Sequence, residues 1–244
     1  MENKVYVIGM GPGDAGLMCK SADEILRQCD TIIGYTVYID LLKDHYPGKE
    51  FLTTHMTQEA KRCEMAFEEA KKGKMVAMVC SGDAGVYGMS GLMLEIGAEY
   101  PDIKVEVVPG ITAALSGGAV LGAPLTHDFA VISLSDRLTP WEKIEKRLEC
   151  AAMADLAMAI YNPASHRRSD YLHRACEIVM RYASPDTVCG VVRNIGREGE
   201  EMHVMKLREL ADYPADMFTT VFIGNAQTKV VDGRMVTPRG YRNV

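Results

Sequence analysis

Three short glycine-bearing segments hold the residue types from which a ligand site could be built: GPGDAG at residues 11–16, SGDAGVYG at 81–88 and PGITA at 109–113. None of them contains Lys or Arg. Phosphate chains are ordinarily met by a cation as well as by backbone N–H groups, so these loops suit a di- or triphosphate poorly. They do carry Asp14 and Asp83, whose carboxylates favour a ligand with positive charge. Other candidates lie in the second half. His127, Asp128 and Asp83 are the acid–base candidates. Arg167, Arg168, Arg193 and Arg197 could recognise carboxylates, because a guanidinium forks onto both oxygens. Arg174 and Arg181 read as the solvated face of a helix.

Residues 11–16 formally match G-x-G-x-x-G, the fingerprint of dinucleotide sites. The chemistry argues otherwise. Pro12 removes an N–H from the loop, and Asp14 would set a carboxylate beside a pyrophosphate. The better helix cap comes later, at Ser21 with Glu24 three residues on. The strand-like run TIIGY at 31–35 ends without the acidic residue that ribose recognition uses. A cationic ligand with little or no phosphate fits better. S-adenosylmethionine, with its sulfonium, ammonium, single carboxylate and adenine, has that chemistry.

Alternating strands and helices must position these loops. Strands are expected at 4–8, 31–35, 75–80 and 104–108, each short, apolar and rich in β-branched residues. Helices should follow, one from Ser21 to about Cys29 and one capped by Thr57 and ended by Gly73, with Ala60, Met65, Ala66 and Ala70 on its buried stripe. Two more should run to about Glu99 and Leu121. This order implies a mainly parallel sheet with helices on both faces. After Gly122-Ala123-Pro124 the pattern restarts, with strands at 129–134, 156–161, 187–193 and 218–223 and helices from Trp141 and Ser169. Asp232-Gly233 marks a hairpin between 229–231 and 234–236. The expectation is an α/β protein of two domains, 1–123 and 124–244, with the active site in a trough between them.

Composition narrows the class. The chain has 244 residues, 48% apolar and 25% charged, which supports a sizeable core and argues against disorder. A net charge of −6 argues against nucleic-acid binding. The N-terminal residues lack a basic start followed by an apolar run, and the longest uncharged stretch is broken by Gly and Pro, so neither a secretory signal nor a membrane span is expected. Seven cysteines without a C-x-x-C pair read as free cytosolic thiols rather than disulfides or a zinc site, and no protein-held metal is expected.

The motifs together carry a resemblance. GMGPGD at the start, SGDAGVYGM, and PGITAA followed by LGAPL resemble the tetrapyrrole (class III) methyltransferase family, over essentially the whole chain. HDF leading into ISLSD, YNPAS at 161–165, RNIGR at 193–197 and TTVFIGN at 219–225 resemble its branch that methylates C17 of a corrin precursor in cobalamin biosynthesis. The resemblance implies a homodimer, two α/β domains, and S-adenosylmethionine held at Pro12, Ser81, Gly82, Asp83, Val86, Thr112, Ala113, Tyr161 and Asn162. Asn194 and Gly224 match more loosely. It also implies a corrinoid substrate with several carboxylate arms, and ring contraction accompanying methylation. Metallated and metal-free precursors both remain open as substrates. So do another corrin or porphyrin carbon and, from a different class, a nicotinamide-dependent oxidoreductase.

Overall fold

The short β-branched runs of the N-terminal half form one all-parallel sheet in the computed structural model, which describes residues 3–165 and 169–241. Its strands are β1 (Asn3–Gly9), β2 (Thr31–Tyr35), β3 (Glu50–Thr54), β4 (Val76–Cys80) and β5 (Ile103–Val108), in spatial order β3-β2-β4-β1-β5. Side chains of β1 and β4 alternate between two cores, as the two-residue period of a strand requires. Val5, Val7, Val76, Met78 and Cys80 pack with Phe67 of α3 (Glu59–Lys71) and Met93 of α4 (Ser90–Gly97). Ile8, Ala77 and Val79 pack with Leu26 of α1 (Lys20–Gln28) and Ile39 of α2 (Thr36–Leu42). A strand covered on both faces has no polar side to show, which is why β4 is buried along its whole length. Phe67, fully buried, stacks on Tyr100 at 4.4 Å; burying such a ring contributes roughly 2–3 kcal/mol.

Two helix starts differ from the sequence expectation. Ser21 lies inside α1, and Cys19 is the cap; its carbonyl accepts from Ala22 and Asp23 N–H. A short 3-10 turn at Ala15–Leu17, capped by Asp14, takes up the chain before it. Thr57 has a left-handed backbone (φ 77°) and caps nothing, and α3 begins after Gln58. Ala66 and Ala70 are buried on α3 as expected, whereas Ala60 is exposed and Arg62 and Phe67 complete the stripe.

The second unit holds a five-stranded sheet in the order β10-β9-β11-β8-β7, built from β7 (Phe129–Ser133), β8 (Ala157–Tyr161), β9 (Val188–Arg193), β10 (Glu201–Lys206) and β11 (Thr219–Ile223). Only β7 and β8 pair in parallel; the other three pairings are antiparallel. The expected continuation of a mainly parallel pattern is therefore corrected here. The segment from 194 to 200 is too short for a crossover, so β9 turns straight back into β10. One face is covered by α6 (Trp141–Met153), α7 (Tyr171–Val179) and α8 (Leu207–Leu210), the other by α5 (Ala113–Leu121). Gly117 lets α5 approach closely: a Cβ there would stand 2.8 Å from Ile195 Cδ1 and 3.1 Å from Phe222. The units divide between Thr112 and Ala113, so α5 belongs with the second sheet, although the sequence reading carried the first domain through residue 123. A small sheet of β6 (Gly122–Ala123), β12 (Lys229–Val231) and β13 (Arg234–Val236) completes the unit. Asp232 (φ 48°) and Gly233 (φ 74°) form the expected two-residue hairpin turn.

Candidate functional site

The three glycine loops follow β4, β1 and β5, which are neighbours in the parallel sheet, so all three emerge side by side at one edge. From β1 the chain passes to α1 on one face, and from β4 to α4 on the other. Adjacent strands whose connections depart in opposite directions leave a crevice at their carboxyl ends, where open parallel sheets bind ligands.

Main chain holds the loops to one another. Met10 N–H donates to Cys80 O at 2.9 Å, and Gly11 and Gly82 exchange a pair of backbone hydrogen bonds at 3.0 and 2.7 Å. Asp83 joins the second loop to the third. Its Oδ1 accepts from Gly85 and Val86 N–H at 2.7 and 3.1 Å, and its Oδ2 from Gly110 N–H at 2.9 Å. A carboxylate with three backbone donors in place is a loop tie, the part that competes with the general-base reading of Asp83. The glycines also serve this lacing. A Cβ on Gly9 would lie 2.7 Å from both Gly110 N and Gly82 O, and one on Gly110 would overlap Gly82 O. Their missing side chains let loop meet loop, a use distinct from the close approach of a ligand that the sequence pointed to.

In the first loop, Asp14 Oδ1 accepts from Gly16 N–H at 2.7 Å and closes the 3-10 turn. The start of α1 lies beyond that turn, so the dinucleotide geometry of a helix N-terminus directly under the loop is absent. Pro12 and Gly82 are buried, and Ser81, Val86 and Thr112 are half-buried. Cys80, at the end of β4, is no nucleophile: burial pushes its thiol up to about 11.

Side chains, as well as main chain, fix the candidates of the second unit. Tyr161 Oη accepts from Ala114 N–H at 2.7 Å and so ties the end of β8 to the start of α5, next to Ala113. Asn162, left-handed at φ 53°, donates from Nδ2 to Ser133 Oγ at 3.0 Å. Arg193 bonds Asp216 at 2.8 Å and approaches Glu201 at 3.4 Å, while Arg197 lies over the Phe218 ring at 5.9 Å. Burial opposes ionisation of Asp216, but Thr219 Oγ1, Arg193 and Phe218 N–H outweigh it and hold its carboxyl below the ordinary value. Asn194 (φ 52°) donates its N–H to Phe218 O at 3.2 Å and stands on the same turn. Gly224 is buried and packed, for a Cβ there would meet Thr228 at 2.5 Å.

The His127 side chain meets Asp128, and Asp128 O accepts from Ala157 N–H at 3.3 Å. His127 Nδ1 accepts from Asp128 N–H at 2.8 Å, and both residues are exposed. Arg167 and Arg168 lie outside the described residues. Arg174 differs from a plain solvated side chain: its guanidinium sits 4.2 Å from the Trp141 ring and 5.3 Å from that of Tyr171. Two partners went unforeseen, Asp216 and Ser133. The spacing of Asp216 to Phe218 and Thr219 is that of an Asx turn, a signal present in the chain. Ser133 carries no such mark. Among the described residues, no group of three His, Cys, Asp or Glu could hold a metal ion.

Fold and loops define an α/β protein of two units in which three glycine loops without Lys or Arg are laced together at the carboxyl ends of parallel strands. The chain belongs to the family described as Tetrapyrrole (Corrin/Porphyrin) Methylases, whose pattern matches residues 4–211. It is 44% identical over 236 residues to the probable cobalt-factor III C(17)-methyltransferase of Salmonella typhimurium, covering 96% of this chain and 98% of that one. It is 43% identical to the cobalt-factor III methyltransferase of Priestia megaterium over 99% of its own length, but spans only 46% of that longer protein. Among solved structures, that of the methyltransferase CobJ superposes with a TM-score of 0.89 at 36% identity, covering 96% of this chain and 99% of that one.

Proposed function

We propose that this protein transfers the methyl group of S-adenosylmethionine to C17 of cobalt-factor III, or of its metal-free counterpart precorrin-3B, with contraction of the ring, in cobalamin biosynthesis. One observation carries the reading. Three loops without a single Lys or Arg are laced by main chain at the ends of β4, β1 and β5. Such a wall suits a sulfonium donor and not a pyrophosphate. The likeness to the Salmonella typhimurium relative, over nearly the full length of both chains, supports the choice of substrate.

When bound, the donor supplies an electrophilic methyl whose bonding pair stays with sulfur, so the leaving thioether is neutral and needs no acid. The work left to the protein is alignment and exclusion of water. Pro12, Ser81, Gly82, Val86 and Thr112 hold the donor in the first unit. Asp83 keeps their loops in register and is a positioning residue. Ala113, Tyr161 and Asn162, with Asn194 and Gly224, complete the donor contacts. Arg193 and Arg197 take substrate carboxylates, and Arg167 and Arg168 are assigned the same part by sequence. Deprotonation during ring contraction falls to His127 or Asp128. The protein acts in the cytoplasm as a homodimer, which ultracentrifugation would test.

The deciding experiment incubates the protein with labelled S-adenosylmethionine and each of the two trimethylated precursors, then locates the added methyl by NMR. Label at C17 is the expected result. Label at another carbon would move the protein to a different member of the same family. Tight binding of NAD, with no response to S-adenosylhomocysteine, would reverse the reading.

A further inference from the structure

The edge that carries the glycine loops continues past β4 to β2 and β3, and a second concavity stands at its far end. It encloses about 400 Å³ and is lined by Thr53, Thr54, His55, Gln58, Lys61 and Met65. Its lysine differs from those at the other end of α3. Lys71, Lys72 and Lys74, around the other end of α3, are all paired with glutamates at 2.5 to 2.8 Å. Among the described residues Lys61 makes no such pair, although Glu64 is only three residues on. Directly behind the pocket lies Arg62, 5% exposed, with no carboxylate partner among the described residues. Its guanidinium donates instead to Thr54 Oγ1 at 2.9 Å and His55 O at 3.2 Å. The carboxylate of Glu59 is turned to Thr57 N–H at 3.1 Å. One cation thus lines the pocket and a second is buried behind it without a carboxylate partner among the described residues; burying such a charge is costly unless an anion comes near.

Its position says which anion. Strands of a sheet are about 4.8 Å apart, so the end of β3 lies about 10 Å from the end of β4, with β2 between them. The end of β2 presents Tyr35 packed edge-to-face on Tyr38 at 5.4 Å, both half-buried. One edge thus runs from a donor-binding crevice across an aromatic step to a basic pocket.

We propose that the pocket at the end of β3 is a binding site for a carboxylate arm of the substrate, with Lys61 and His55 as the residues that recognise it and Arg62 as the residue that positions them. This rests on the methyltransferase reading above. Lys61 ion-pairs with the carboxylate, and His55, Thr53 and Gln58 supply hydrogen bonds. Tyr35 and Tyr38 lie along the apolar macrocycle between arm and reacting carbon.

The test uses the full chain, with cobalt-factor III and S-adenosylhomocysteine as probes. Lys61→Glu should raise the KM for cobalt-factor III about tenfold, the scale of a charged hydrogen bond. It should leave kcat and the S-adenosylhomocysteine affinity within about twofold, and Lys61→Arg should restore KM. His55→Gln should show a smaller rise of the same kind. An unchanged KM in both Lys61→Glu and His55→Gln, or an equal loss of S-adenosylhomocysteine affinity, would overturn the proposal. If the wild-type protein binds cobalt-factor III without methylating it, the methyltransferase reading fails, and titration of Lys61→Glu with the corrinoid still decides the pocket. If the wild-type protein binds neither cobalt-factor III nor precorrin-3B, both readings fall.

Discussion

The two sheets hold their loops by different means. In the first unit, backbone meets backbone and Asp83 adds a side-chain tie: Gly11 pairs with Gly82, Gly9 and Gly110 pack against the second loop with no room for a Cβ, and the Asp83 carboxylate accepts from Gly110 N–H. In the second, side chains do the holding, through Tyr161 to Ala114, Asn162 to Ser133, Arg193 to Asp216, and Thr228 to Thr237. The difference follows from topology. Parallel strands deliver every carboxyl-end loop to one edge, where neighbours touch directly. A mostly antiparallel sheet sends successive connections to opposite edges, so side-chain ties there add to main-chain bonds such as Asn194 N–H to Phe218 O.

The comparison makes a graded set of expectations. The largest effect should come from Gly110→Ala, because the obstruction is a carbonyl that cannot rotate away. Unfolding in urea should show a loss of about 3 kcal/mol or more, with S-adenosylhomocysteine binding abolished. A loss under about 1 kcal/mol would break the contrast. Next is Asp83→Ala, which leaves the N–H groups of Gly85, Val86 and Gly110 without their acceptor. A cost of about 2–3 kcal/mol is expected, less for Asp83→Asn, which retains one acceptor oxygen.

Gly190→Ala in the second sheet should cost only about 1–2 kcal/mol, since its Cβ would meet the Leu121 side chain at 2.7 Å. Combining it with Leu121→Val should recover part of that loss. Strict additivity in this double-mutant cycle would show that the two sites do not share the space.

Asp216→Asn should cost at most about 1 kcal/mol at neutral pH, because its partner Arg193 is 43% exposed. The sign of its pH dependence is set by the lowered folded-state value. The pair's contribution is present above the ordinary aspartate range and is lost as pH falls through the folded value. Stability of Asp216→Asn should therefore fall less than that of wild type on acidification, and parallel acid curves would show that this pair does not govern the turn. The smallest perturbation is thiol labelling. Cys150 is exposed and should react first with iodoacetamide, while burial pushes Cys29 and Cys80 up to about 11 and Cys63 and Cys176 up to about 12. Mass spectrometry along a temperature ramp would show which sheet opens first, through Cys80 or Cys176.

Much of the fold was legible because it is local. Apolar runs such as MVAMVC mark buried strands, and Asp232-Gly233 marks a hairpin. Less legible were β3 and β10, whose sequences EFLTT and EMHVMK mix charge into short edge strands. Ser21 shows how propensity yields to context: it has the right residues for a cap, but Asp14 has already shaped the turn before α1, and the cap falls two residues earlier, at Cys19. In the site, the loops could be found from their glycines, but the residue each glycine meets could not.

What this chain's residues determined by themselves was the strand period, the helix order, the cation-free loops and the motif set of the family, all properties of neighbours along the chain. The tertiary structure alone decided that Asp83 reaches Gly110 across 27 residues, that α5 packs on the second sheet, and that β9 turns back into β10. These outcomes depend on which distant groups can satisfy one another's hydrogen bonds and volumes once the layers close. No local pattern encodes that choice.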